Sequence, residues 1–458
     1  MKTSITAERL LSNVNRGLYE KGCFEYLSSL DEFESVVFIC DSDDSRNFAE
    51  SISDSVREIY STRFIGIESL YEEVDAKSKM YVDCLFNKED ESEIRELYKF
   101  SLKTKNLVGL IFPTGYRMDS GRCICKKIVY SCLITMSVNP GFYLSDCLDS
   151  CEKVVNMDGL LSDNVELLNS ECTKAFFARR RRNTNKGNYS TVSIIGGCKR
   201  YMGASTLAYS SLCALKFGCG YSYLVVPESL RDIYALRQPQ VILKTLSDND
   251  GLFVFNKEEL DEVMSRSDVL VFGVGIGVSE DVYKMIDYIL HNFTGKLVID
   301  ADGLNSISKY GIDSLLDHNC DVVVTPHIKE FSRLRNLDVD DVLDDPIYYA
   351  KEFARRNKVT LLLKSASSII TNGYDVSINI TGNEGLAKAG SGDLLSGIVG
   401  GVFSERNIGS YLASCTGSYL FGYFADEAVD RVYVKSLTSK DIIDEIGTAL
   451  LKLSKLYK

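Results

Sequence analysis

At 458 residues the chain is too long for one typical domain and long enough for two hydrophobic cores. A composition of 45% hydrophobic and 25% charged residues is that of ordinary globular protein. The net charge of −12 argues against a nucleic-acid binder, whose affinity depends on basic surface.

From the start of the chain, Met1 to Gly22 mixes Glu8, Arg9, Arg16 and Glu20 into its apolar residues, and no later stretch is long enough to span a bilayer. A cytoplasmic protein without leader or membrane span is expected. Its fourteen cysteines are scattered without a CxxC pair and read as small buried residues in a reducing compartment. The three histidines, His291, His318 and His327, share no ligand spacing with them, which argues against zinc.

Val36 to Cys40 reads as a short buried strand ended by Asp41 to Ser45. Further strands are predicted at Met80–Val82, Leu107–Phe112 and Ile128–Tyr130, with a charged helix over Glu89–Lys105. Strands alternating with helices predict an α/β layer with a mostly parallel sheet over residues 1–175. Ala178 to Asn188, with four consecutive arginines, reads as a solvated linker.

The second domain, 185–458, opens with a strand at Thr191–Ile195 that runs into Gly196-Gly197. A helix of small residues follows from Gly203-Ala204-Ser205 to Gly218; small residues let a flat ligand lie near the backbone, and they equally allow tight packing. Tyr221–Val226 is the next strand; strands at Asp268–Phe272, Leu297–Ile299, Asp321–Val324 and Val359–Leu363 then end in Gly273 to Gly277, Asp300-Ala301-Asp302, Thr325-Pro326-His327 with Glu330 beyond, and Lys364-Ser365. Ligands of open α/β sheets bind at that carboxyl edge, and a lysine there can meet a phosphate as a point charge. Ser368–Ile370 and Val376–Ile380, turned by Asn372-Gly373, predict a hairpin, and two helices close the domain.

Between the hairpin and those helices lies Gly382-Asn383-Glu384-Gly385-Leu386-Ala387-Lys388-Ala389-Gly390-Ser391-Gly392-Asp393, which leads into the apolar run Leu394 to Phe403. A glycine loop feeding a buried helix offers unpaired N–H groups and the positive end of the helix dipole, a setting for phosphate. A carboxylate repels phosphate unless it has work there. Asp393 is therefore expected to take a proton from a hydroxyl that attacks phosphorus; the alternative is that it merely caps the helix.

These motifs, in this order and spacing, resemble the NAD(P)H-hydrate dehydratase domain across nearly all of 185–458. Thr325-Pro326-His327-Ile328-Lys329-Glu330-Phe331 and the Gly382–Asp393 stretch are the most specific. Departures are Val274 for a usual proline, Ser365 for glycine and Gln240 near a usual glutamate. The first domain carries fainter echoes of the NAD(P)H-hydrate epimerase domain: Asp83-Cys84-Leu85-Phe86, and Pro113-Thr114-Gly115 with Asp119-Ser120-Gly121. Cys40 to Ser45 replaces that family's Asn/Gly/Asp loop, its aspartate before the proline falls on Ile111 or Phe112, and its serine has become Thr114. The whole chain resembles the bifunctional NAD(P)H-hydrate repair family.

The resemblance implies a ribokinase-like three-layer C-terminal domain around a mostly parallel sheet, and a Rossmann-like epimerase-type N-terminal domain that has lost its chemistry. The implied activity is nucleotide-dependent dehydration of the S hydrate of NADH or NADPH, with ADP or ATP as phosphoryl donor and Mg²⁺ on the phosphates. Asp393 is the implied base, and Ala204, Gly277, His327 and Asp393 the implied contacts to the hydrate. Lys364, Ser365, Ala366, Ser367, Ser368, Gly390, Ser391 and Gly392 are the implied contacts to the nucleotide. Asp83 matches a potassium-ligand position, and a homo-oligomer is implied, with no nucleic-acid or membrane partner. A kinase of a small alcohol on the same fold and a non-catalytic nucleotide binder are the alternatives at this stage.

Overall fold

The computed structural model describes residues 33–57, 59–73, 78–85, 90–110, 113–117, 120–135, 143–144, 147–151, 154–156, 165–206, 216–237 and 242–457. The opening Met1 to Gly22, Phe86, Ile111, Phe112, Asp119, Gln240 and residues 207–215 of the small-residue helix lie outside them. The chain divides into two units between Glu166 and Leu167, with Leu343–Asp345 grouped with the first.

In the first unit, β1 (Ser35–Ile39), β2 (Ser61–Ile65), β3 (Lys79–Asp83), β4 (Leu107–Leu110), β5 (Cys132–Thr135) and β6 (Val154–Asn156) form one sheet in the order β2-β1-β3-β4-β5-β6. All its pairings run parallel. The central runs Val36–Ile39, Met80–Val82 and Leu107–Val108 are buried, as strands covered on both faces must be. β2, half exposed at the edge, carries no apolar run to betray it in the sequence.

Ile128–Tyr130 is not a strand. Ile128 and Tyr130 are buried while Val129 is exposed, and only Tyr130 bridges, to Cys151, before β5 begins at Cys132. Asp41 to Ser45 opens helix α1 (Asp43–Val56), where Ser42 and Ser45 exchange hydrogen bonds between side chain and backbone as a capping box. Helix α2 (Glu91–Ser101) is capped by Asp90 and buries Ile94, Leu97 and Phe100.

The second unit is built on a sheet of β7 (Val165–Leu167), β8 (Thr191–Ile195), β9 (Tyr221–Pro227), β10 (Ile242–Leu246), β13 (Val269–Phe272), β14 (Lys296–Ile299), β15 (Asp321–Val324), β16 (Thr360–Leu363), β17 (Ser368–Thr371) and β18 (Val376–Asn379). β11 (Asp248–Asn249) and β12 (Leu252–Phe253) form a separate ribbon. The order is β10-β9-β8-β13-β14-β15-β16-β17-β18-β7. Pairings are parallel from β10 to β16 and antiparallel through the β17–β18 hairpin. The parallel strands bring their carboxyl ends to one edge.

Helix α3 (Ala301–Tyr310) leaves the end of β14, and helix α4 (Ile328–Arg335) the end of β15. The predicted buried helix is α5 (Ser391–Phe403), in which every residue from Leu394 to Phe403 is buried. A helix apolar all round belongs in a core. α5 crosses β13 and β14 so closely that a Cβ on Gly400 would come within 2.5 Å of Val271 Cγ2; only glycine permits this. α6 (Ser410–Ala428) covers β15 to β18, and α7 (Ser439–Leu453) packs on α6.

The arginine run is not a free linker within this unit. Arg180 donates to Gly218 O at 2.7 Å and to Glu405 Oε1 at 2.5 Å, and its guanidinium stacks 4.2 Å over Tyr189.

Candidate active site

The edge where β8, β13, β14, β15 and β16 end gathers most of the residues singled out in the sequence. β8 pairs with β9 on one side and β13 on the other, so the strand order reverses there, the usual place for a ligand crevice. The loops after these strands touch: Gly197 N–H donates to Val274 O at 3.0 Å, and Ala204 packs beside Gly275. Gly277 N–H donates to Asp302 Oδ2 at 3.0 Å, and Asn305 Nδ2 holds the other oxygen at 3.2 Å. Ala204 and Gly277 therefore stand on one wall, and Asp302 links that wall to the first turn of α3.

His327 and Lys364 are bridge partners at the ends of neighbouring strands, with Lys364 N–H donating to Pro326 O at 2.8 Å. The histidine also has a structural task. Its Nδ1 accepts from Glu330 N–H at 3.2 Å, while Glu330 Oε2 accepts from His327 N–H at 2.9 Å, a capping box on α4. With Nδ1 accepting, the ring proton sits on Nε2, which lies 3.5 Å from Glu330 Oε1 on a half-exposed side chain. Burial, with Lys364 and Arg333 nearby, holds its pKa below the ordinary histidine value, against the opposing pull of Glu330.

Lys364 Nζ lies 2.7 Å from Asp300 Oδ1 and 3.3 Å from where a Cβ on Gly392 would stand. Ser365 and Ala366 are exposed, and Ser367 is buried, in the turn from β16 to β17; Ser365 Oγ donates to Ser367 O and Ser368 Oγ to Ser365 O. The glycine loop is tied from below, Gly382 N–H and Asn383 Nδ2 both donating to the Asp426 carboxylate of α6.

Gly390 is the N-cap of α5, with φ +93° and no capping side chain. That left-handed turn favours glycine. Ser391 N–H makes only a long 3.4 Å bond to Lys388 O, and the N–H groups of Gly392 and Asp393 have no acceptor among the described residues. The N–H groups left without an acceptor at this end of α5 are thus those of Gly392 and Asp393. Asp393 is at the third position of α5, and no side chain makes a cap hydrogen bond at this end of the helix. Burial first, then the charges of Asp300, Asp302 and Glu330, raise its pKa from 3.8 to about 6; Lys364 opposes them.

In the sequence Asp300, Asp302 and Glu330 stand at the ligand-binding edge without an individual role, and Ser396 is not singled out. Ser396 had a legible signal, a polar residue three places after Asp393 inside a buried apolar helix. Its hydroxyl donates to Asp300 Oδ2.

Asp83 is brought to none of this. It lies in the first unit, 2% exposed, with Oδ1 accepting from Leu85 N–H at 2.9 Å and Oδ2 from the Tyr130 hydroxyl at 2.6 Å. Burial raises its pKa against those bonds. Each oxygen accepts one hydrogen bond within the protein, which gives Asp83 a structural task in the first unit. No group of three or more metal-ligating side chains occurs among the described residues. A cavity of about 1000 Å³ lies at the opposite edge, beside Asp268, Lys296 and Asp321 at the amino ends of β13, β14 and β15. Lys296 there is held by the carbonyls of Phe403, Glu405 and Ile408, away from this chemistry. No helix among the described residues is long and apolar enough to cross a membrane.

Comparison with known proteins bears on family and fold. The chain aligns with a bifunctional NAD(P)H-hydrate repair enzyme of Dictyoglomus turgidum at 28% identity over 394 residues, covering 81% of this chain and 75% of that one. In fold, the chain is similar to a ribokinase-like protein of Enterococcus faecalis, at TM-score 0.55 and 22% identity over 64% of this chain and 98% of that one. The ADP/ATP-dependent NAD(P)H-hydrate dehydratase of Bacillus subtilis, co-crystallized with ATP and Mg²⁺, gives TM-score 0.55 and 23% identity over 64% and 100%. The model of the NAD(P)H-hydrate dehydratase family matches residues 192–448, more than half of the chain. The chain belongs to the NAD(P)H-hydrate dehydratase family.

Proposed function

We propose that residues 185–458 return the S hydrate of NADH or NADPH to the reduced coenzyme, with ADP or ATP as phosphoryl donor and Asp393 as base. The observation that carries this reading is the Asp393 carboxylate itself. It has no hydrogen-bond partner among the described residues, has a raised pKa, and sits beside two unpaired N–H groups and Lys364. A carboxylate that does not cap, at a turn built for an anion, suits proton removal next to phosphate.

Asp393 takes the proton of the C6 hydroxyl as that oxygen attacks the terminal phosphoryl group and the nucleotide departs. The Gly392 and Asp393 N–H groups, the dipole of α5 and Lys364 hold the transferring charge. The ring nitrogen lone pair then expels phosphate from C6, and loss of a C5 proton restores the dihydropyridine. Mg²⁺ would neutralise phosphate oxygens; without a ligand cluster among the described residues, it fits as an ion carried by the nucleotide. Ala204 and Gly277 form the wall for the hydrate, His327 Nε2–H offers it a donor, and Lys364 to Ser368 cradle the nucleotide. The free cysteines support a reducing cytoplasmic setting; assembly as a homo-oligomer belongs to the same proposal.

Incubation of the full chain with the S hydrate and each nucleotide tests the reading. NADH absorbance should recover with stoichiometric release of inorganic phosphate. A phosphoester that accumulates without recovered absorbance would identify a simple kinase.

Because Asp393 works ionised and carries a pKa of about 6, kcat/KM for the hydrate should rise about tenfold per unit below that pH and level off above it. A profile flat from pH 5 to 8 would contradict this assignment.

The first unit is proposed to be silent as an epimerase. The expected loop is the start of α1, and Asp83 is closed over by Tyr130. Given the R hydrate alone, with nucleotide, the full chain should consume it no faster than it epimerises spontaneously. A rate that scales with enzyme concentration would show retained activity.

A further inference from the structure

Asp300 ends β14 with a carboxylate that is 1% exposed. Its Oδ1 takes Lys364 Nζ at 2.7 Å, and its Oδ2 takes the Ser396 hydroxyl, which also lies 3.0 Å from Gly392 O. One buried anion therefore joins the end of β14, the lysine that follows β16 and the first turn of α5. A buried ion pair is weak evidence for stability, because desolvation offsets most of its attraction. A pair retained at such a spot calls for another explanation, and this one ends at the two groups the transfer needs most.

We propose that Asp300 is a positioning residue that touches neither substrate and instead aims Lys364 and the first turn of α5 at one another. This rests on the reading of Asp393 as base. A lysine has four rotatable bonds, so its ammonium would not hold one place over Gly392 without a fixed counter-charge. Ser396 does the same for the helix: its bond to Asp300 keeps the Gly392–Asp393 turn in register with that ammonium. Misplacement of such groups by about 1 Å can cost about a hundredfold in rate. Asp393 is faced by Asp300 from the end of β14, Asp302 from α3, Glu330 from α4 and Lys364 from beyond β16. Removing the Asp300 charge leaves that set less negative and Lys364 uncompensated, and both changes favour ionised Asp393.

The test uses the full chain with saturating nucleotide and varied S hydrate. Asp300→Asn should lower kcat by about tenfold to a hundredfold with little change in hydrate KM. It should also move the acid limb of kcat/KM down by about one pH unit. The limb shift follows from the lost charge alone, so kcat decides: a merely structural Asp300 would reduce the melting temperature and leave kcat near wild type well below it, and that result overturns the proposal. Should Asp300→Asn fail to fold, Ser396→Ala decides. It touches no substrate, so kcat should fall about tenfold at unchanged nucleotide KM, well below the melting temperature; unchanged kcat overturns the proposal. The wild-type control separates the two ideas, since absent dehydration there would refute the base assignment itself.

Discussion

Asp393→Asn should lower kcat for hydrate dehydration by about 10²–10⁴, the usual worth of a positioned general base, without loss of fold. The stability sign follows from the raised pKa. Folding favours the protonated form, so whatever stability the group contributes is present below about pH 4 and is lost as pH rises through about 6. Above pH 6 the buried carboxylate is a cost, and asparagine, which cannot ionise, removes it. The variant should therefore melt no lower than wild type at pH 7 while its turnover collapses and its nucleotide affinity stays near normal. A capping residue behaves otherwise, because asparagine caps about as well as aspartate and activity would survive. Thermal melting, nucleotide titration and kcat on one preparation separate these outcomes; unchanged kcat would end the mechanism.

Lys364→Ala should show the opposite balance, a loss in both stability and binding. Lys364 is largely buried, at 17% side-chain exposure, and Asp300 is almost wholly so, at 1%. Removing the cation leaves a buried carboxylate with only Ser396 beside it, and breaking such a pair costs about 3 kcal/mol. A charge-assisted bond to the nucleotide phosphates goes too, which should weaken nucleotide binding about 10- to 100-fold. Chemical denaturation and nucleotide titration of the same variant check both halves. Normal nucleotide affinity in a destabilised protein would make Lys364 a structural residue and move the phosphate site elsewhere along the edge.

Most strands with buried apolar runs, β1, β3, β4, β8, β9 and β13 to β16, were legible because a parallel sheet covered on both faces needs runs of that kind, but β5, with Cys132 to Ile134 buried, was missed. The edge strands β2 and β10 were not, since half-exposed positions tolerate Ser61, Thr62, Arg63, Lys244 and Thr245. Ile128–Tyr130 misled for a related reason: three apolar residues in a row look like a strand even when the middle one faces solvent. The glycine loop, Asp393, His327 and Lys364 were legible as motifs because each lies where a strand or loop ends and a helix or turn begins.

What the sequence determined by itself was local or periodic: the α/β class, the apolar helix behind Asp393, the glycine turn before it and the family. Tertiary structure decided the rest, because it depends on contacts between residues far apart in the chain. Asp300 and Ser396 are 96 positions apart, and Asp300 and Lys364 are 64 apart. No spacing rule joins such residues before the sheet brings β14 and β16 to one edge. The same reason applies to Asp83, whose carboxylate accepts from the hydroxyl of Tyr130, 47 residues on. Arg180, read as solvated linker, is likewise claimed by Glu405, 225 residues away.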